Sequence, residues 1–224
     1  MPIIAAFNSK GGSAKSTAIL VLGDALARQG ASVSIIDTDP QASLAIWRER
    51  AKTSTIQVVR STSSTSIHRV IREESARSAW VLIDMAGFTS DMRPAVMSRT
   101  DLVIVPMQAS PEDARLAATA LEYIASDCET LDRTIRTRIL WARTVPKMIQ
   151  RVERKILDQM AAANIPAFET HLNERSAFRA MFLEGAPLAE VDQSQFNGVP
   201  KAIENADRLA SEVASFFLPM EQAA

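Results

Sequence analysis

"NSKGGSAKST", residues 8–17, decides the fold. An apolar run, "PIIAAF", precedes it, and a segment with helical spacing follows. A phosphate-binding loop of the form G-x-x-x-x-G-K-S/T sits between a strand and a helix in this way. Here Ser9 and Ala14 stand where the pattern has glycine, and Lys10 is an additional lysine near the front. Small residues such as Gly11, Gly12, Ser13 and Ala14 let backbone N–H groups converge on a phosphate. The helix N-terminus adds partial positive charge there. Lys15 is placed to reach terminal phosphates, and the Ser16 hydroxyl, with Thr17 beside it, to ligate magnesium.

Away from the loop, short apolar runs alternate with longer helical patterns. Residues 3–7, 33–37, 80–84, 102–106 and 138–142 read as buried strands, rich in Val and Ile and bounded by turn or polar residues. Residues 56–60 and 167–171 are weaker strand candidates. Helical spacing marks residues 16–29, 66–77, 111–126, 147–163, 174–184 and 200–217. This alternation implies an α/β fold, a mainly parallel sheet with helices on both faces. The length of 224 residues suits one domain spanning 1–224. In such sheets ligands bind at the carboxyl ends of the strands. The loop, "DTDPQ" (residues 37–41) and "DMAG" (residues 84–87) all fall at those ends.

Composition excludes several classes. A net charge of -1 gives no global sign of nucleic-acid binding, so such a role needs a local patch. The lone Cys128 forms neither an internal disulfide nor a thiolate cluster. The N-terminus lacks a signal-peptide pattern, and no apolar run is long enough to span a bilayer. A cytoplasmic chain is expected.

Asp37 and Asp39 end the second strand, beside the expected place of a γ-phosphate. Carboxylates there hold magnesium or orient an attacking water. The alternative is that Asp39-Pro40 starts the helix "QASLAIWRER" as its cap. Asp84 closes "WVLID", an apolar strand whose terminal carboxylate suits a magnesium shell.

Together these pieces resemble the ParA/MinD family of P-loop ATPases, the deviant Walker A group. Its loop reads K-G-G-x-G-K-S/T-S/T, with D-x-D-P-Q after the next strand; this chain has "KGGSAKST" and "DTDPQ". The likeness continues through "LIDMAG", "VIVPMQASPEDARLA" and "NERSAFRAMFLEGAPL". The resemblance implies ATP and Mg2+ as ligands and a nucleotide-sandwich homodimer. In that dimer the lysine matching Lys10 reaches the partner's phosphates. It further implies that Lys15 binds phosphate, that Ser16 or Thr17 binds phosphate and magnesium, that Asp39 positions the attacking water, and that Asp37 and Asp84 serve the magnesium region. Ala14 departs from the family's glycine. If that position has positive φ, its Cβ costs on the order of 1 kcal/mol and weakens binding or slows hydrolysis. Arg143 stands where the family often has an adenine-reading Asn.

Members of this family partition plasmid or chromosomal DNA with a ParB-type adaptor, bind membranes, or assist conjugative DNA transfer as VirC-type ATPases do. Basic residues run from Arg133, Arg136, Arg138 and Arg143 to Lys147, Arg151, Arg154 and Lys155. The last four share one helix face by spacing and suit non-specific DNA, a solvated face being the alternative. Arg175 and Arg179 either join that surface or sit near the nucleotide. The acidic last helix, with Phe216 and Phe217, lacks the basic face that lipid favours. The expectation is a slow ParA-like ATPase, cytoplasmic and nucleoid-associated when bound to ATP. The alternatives are a conjugation ATPase and an interaction module that hydrolyses little.

Overall fold

Seven parallel strands form one sheet in the computed structural model, which describes residues 1–87, 92–145 and 151–218. The strands are β1 (Ile3–Ala6), β2 (Val33–Asp37), β3 (Gln57–Arg60), β4 (Trp80–Asp84), β5 (Leu102–Met107), β6 (Arg136–Thr144) and β7 (Leu172–Asn173). Their order is β3-β2-β4-β1-β5-β6-β7, so β1 is flanked on both sides. Each ladder is parallel.

Both sheet faces are apolar because successive side chains point to opposite sides. Ile4, Ile35, Leu82, Ile104 and Leu140 pack toward α1 (Lys15–Arg28), α2 (Ser43–Arg50), α7 (Ser176–Glu184) and α8 (Val199–Ser215). Ala5, Ile36, Ile83, Val105 and Ile139 pack toward α3 (Ile67–Arg77), α4 (Arg93–Met97), α5 (Pro111–Thr130) and α6 (Arg151–Ala162). The architecture is the doubly covered parallel sheet expected from the apolar runs.

Three local differences have physical causes. First, α4 is a helix of five residues, too short to show a helical period in sequence. Second, the edge strand begins at Leu172 rather than residue 167. Ala167 makes only an isolated bridge to Ile139, and the N–H groups of Glu169 and Thr170 donate to the Glu212 carboxylate on α8, both at 2.8 Å. These side-chain acceptors cover backbone groups that an edge would otherwise expose. Third, α2 starts at Ser43, not at Asp39-Pro40. Asp39 Oδ1 accepts the Gln41 N–H at 2.9 Å in a turn. The helix is capped instead by Asp37, whose Oδ2 accepts N–H from Leu44 and Ala45, each at 3.0 Å.

Phe216 and Phe217, at the end of α8, pack inward. Phe216 meets Phe168 at 5.8 Å and Phe217 meets Trp80 at 5.6 Å between ring centroids. Among the described residues no helix is long and apolar enough to cross a membrane.

Candidate functional site

The loop is shaped by its own side chains and by two left-handed backbone steps. Asn8 folds the chain over the end of β5. Its Nδ2 donates to the Pro106 carbonyl at 2.7 Å, and its Oδ1 accepts the Lys10 N–H at 3.1 Å. Gly12 has φ 76° and Ala14 has φ 72°. Ala14 is the residue before α1 and makes no side-chain cap for that helix. The first-turn N–H groups are thus left for a ligand, and a turn of this kind makes an anion-binding concavity.

Ala14 answers the question its sequence raised. The position is left-handed, where a Cβ costs about 1 kcal/mol relative to glycine. Ala14→Gly is therefore expected to raise the melting temperature by about 2–4 °C in a chain of this size. The strain is present before nucleotide binds, so any tightening of Mg-ATP binding, up to about fivefold, would come from removing the Ala14 methyl beside the phosphates. Calorimetric melting and a nucleotide titration check both; an unchanged melting temperature would contradict the strain.

The two loop lysines have different surroundings. Lys15 is buried, and its Nζ donates to the Lys10 carbonyl at 3.0 Å. Burial lowers its pKa, while the charges of Asp84 and Asp39 oppose the shift. Lys10 points elsewhere: its Nζ lies 2.9 Å from Asp113 Oδ1 and 3.8 Å from Glu112 Oε2.

The carboxylates divide in the same way. Asp84 is buried, with Oδ2 accepting the Ser16 hydroxyl at 2.6 Å. Among the described residues its other oxygen, Oδ1, is buried without a hydrogen-bond partner. Burial pushes the Asp84 carboxyl up to about 7; the Ser16 hydrogen bond and Lys15 oppose this, and Asp37 adds to it. A hydroxyl beside an unsatisfied carboxylate oxygen is a hard oxygen donor set, and it fits Mg2+. Asp37 is differently engaged. Besides the two α2 amides, its Oδ1 accepts the Asp39 N–H at 3.1 Å. Burial raises its pKa first of all, against these three backbone hydrogen bonds. Its carboxylate thus holds Asp39 and α2 in place, beside the metal role expected for it. Asp39 itself is half-buried at the end of β2, and its charge bears on both Lys15 and Asp84.

Sequence reasoning missed Thr38. Its N–H and Oγ1 donate to the Asp84 carbonyl at 3.0 and 2.9 Å, and Oγ1 accepts the Ala86 N–H at 3.1 Å. Thr38 thereby ties "DTDPQ" to "DMAG"; its position between two aspartates was the available signal.

A cleft opens beside the loop, lined by Ala14, Thr17, Arg143, Arg175 and Arg179. Glu174 joins two of these arginines, lying 4.0 Å from Arg143 Nε and pairing with Arg179. Arg175 and Arg179 belong with α7, across the sheet from α6. They therefore lie beside the loop rather than on the face of α6.

The basic run of the sequence is dispersed. Arg133 donates to the carbonyls of Met97, Ser98 and Thr100 and secures the end of α4. Arg136 donates to the Phe216 carbonyl, and Arg138 lies 4.5 Å over the Phe216 ring. Arg151, Arg154 and Lys155 are exposed on α6, while Lys147 lies outside the described residues.

A family model described as VirC1 protein matches residues 1–212. This chain belongs to the VirC1 family. It is thereby a P-loop ATPase of the ParA/MinD group. A relative called Protein ParA, from Rhizobium radiobacter, is 32% identical over 214 residues, covering 95% of this chain and 96% of that protein. Protein virC1 of Rhizobium radiobacter is 25% identical over 187 residues, 81% of this chain and 80% of its own. Among solved structures, a Cyanothece McdA variant in complex with ATP matches with a TM-score of 0.74 at 17% identity, over 96% of each chain. That likeness concerns the fold.

Proposed function

We infer that this VirC1-family chain is an ATP-driven DNA-positioning switch. It binds Mg-ATP, pairs with a second copy across the nucleotides, and holds DNA non-specifically. It lets go after slow hydrolysis stimulated by a ParB-like adaptor, and so partitions plasmid or chromosomal DNA; the chain itself is cytoplasmic and associates with the nucleoid when bound to ATP. The relative called ParA supports this reading. The single observation that carries it is the loop. A buried Lys15, a Ser16–Asp84 pair and a second lysine outside the cradle meet at one strand end.

The residues divide the work by position. Backbone N–H groups of residues 11–16 receive the phosphates, and Lys15 neutralises them. Ser16 and Asp84 hold Mg2+, which when bound withdraws charge from the phosphate oxygens. Asp39, kept in register by Asp37, orients water for attack on the terminal phosphorus, and the bond to ADP breaks. Lys10 supplies charge to the other copy's nucleotide. Arg175 and Arg179 border the nucleotide's cleft.

DNA is assigned to Arg151, Arg154 and Lys155 on α6, with Lys147 preceding them in sequence. Each neutralised phosphate contributes about 0.9 to the salt dependence of affinity. Replacing Arg151 and Arg154 with Ala should lower the slope of log affinity against log salt by about 2 per protomer. Affinity at moderate salt should fall by about tenfold or more for the same reason. Fluorescence anisotropy of a labelled duplex across a salt series measures both; an unchanged slope would remove α6 from the DNA surface.

The match of the VirC1 family model favours a second reading, an ATPase that assists conjugative DNA transfer. The strained Ala14 favours a third, a nucleotide-bound interaction module with little turnover. Recovery of phosphate release in Ala14→Gly from near zero would support the third.

A further inference from the structure

Lys10 is engaged within its own copy of the chain, although the proposed function has it act on another. Its partner is not a mobile surface acid. Asp113 is 2% exposed and sits in the first turn of α5. The Asp113 N–H donates to Ser110 Oγ at 3.1 Å, and its Oδ2 accepts the Gln108 N–H at 3.0 Å. That leaves Oδ1 for the Lys10 ammonium, at 2.9 Å. Exposed ion pairs contribute little because both side chains wander. Here the acid is fixed by its helix, and only the lysine moves.

Apart from this ion pair the Lys10 side chain is about one-third exposed, at 34%. The hydrogen bond and charge of Asp113 raise the Lys10 pKa, so the group stays an ammonium near neutral pH. Release therefore needs a competing anion rather than loss of a proton. A nucleotide phosphate on a second copy is such an anion. Backbone geometry links the event to the cradle, since the Lys10 carbonyl is the acceptor for Lys15 Nζ.

We propose that Asp113, with Glu112 beside it, forms an intramolecular latch that holds Lys10 until a second copy's phosphate displaces it. The inference rests on the trans role given to Lys10 above. The latch sets the concentration at which copies pair, because only unlatched chains are competent.

Asp113→Asn keeps an oxygen for the Gln108 amide and removes the charge. If the latch is closed nine times in ten, this variant should form the Mg-ATP dimer at about a hundredfold lower protein concentration, because both copies must unlatch to pair. Glu112→Gln, at an exposed side chain 3.8 Å away, should shift the midpoint less. Light scattering over a dilution series reads both. A midpoint unchanged or raised in Asp113→Asn overturns the latch; a raised one would make Asp113 a positioning residue for Lys10.

Amine acetylation of the wild-type protein, read by peptide mass spectrometry, is a second test that needs no variant and no dimer. Lys10 should react more slowly than the exposed Lys52, and equal rates would also overturn the proposal. If Lys10 is protected but wild-type protein with Mg-ATP never dimerises, the trans role itself fails. An unshifted midpoint in a protein that does dimerise sinks only the latch.

Discussion

Lys10→Ala should abolish the ATP-dependent dimer while leaving the chain able to bind Mg-ATP. Within one copy Lys10 contacts Asp113 and Glu112, and the cradle keeps its own buried cation in Lys15. Monomer affinity for Mg-ATP should therefore change less than about threefold, the scale of a screened, exposed charge. Turnover should respond far more. Removing one positioned donor from a charge-developing transition state lowers rates by about 10²–10³. A cation supplied in trans to a transferring phosphoryl group is of the same order or larger. The loss should fall on kcat rather than KM, because the interaction is absent until the dimer forms. Lys15→Ala makes the contrast, since it should weaken nucleotide binding itself. Steady-state phosphate release and nucleotide titration separate the two. A Lys10→Ala protein with wild-type turnover would end the sandwich reading.

The second large effect concerns stability. Gly185 ends α7 with φ 65°, in the left-handed region. A Cβ there would lie 2.3 Å from Arg50 Cβ and 3.1 Å from Arg50 Nε. Arg50 is not free to step aside. Its guanidinium donates to the Phe182 and Leu183 carbonyls, at 3.3 and 2.6 Å, and so closes the end of α7 against α2. Gly185→Ala combines left-handed strain of about 1 kcal/mol with an overpacking cost of about 1–3 kcal/mol. The sum, about 2–4 kcal/mol, should lower the melting temperature by roughly 5–15 °C in a chain of this length. Calorimetry checks it. A shift under about 2 °C would mean that α2 and α7 separate with little resistance.

The strands were legible because a sheet covered on both faces needs continuous apolar runs, and "SIID", "WVLID" and "LVIVP" are such runs. The loop was legible because its chemistry needs small residues and lysine at set spacings. What escaped depends on distant partners. Nothing near residue 169 announces that Glu212 will take its amide. Asp37 was read for metal, yet the amides it caps follow it by seven and eight residues. Asp113, within "SPEDARLA", has no local signal of a partner; only the fold brings it to Lys10. The basic run is spread out by geometry. The nine residues of β6 span about 30 Å, so Arg136 and Arg143 lie near opposite ends of that strand, apart from the α6 cations.

Pairing of two copies on ATP, followed by slow hydrolysis, is the work expected of the loop. Multi-angle light scattering tests it most directly, with no nucleotide, with Mg-ATP and with Mg-ADP, while phosphate release is recorded in the same samples. A dimer specific to ATP, decaying as phosphate appears, is expected. A monomer under all three conditions, with no phosphate released, would contradict it.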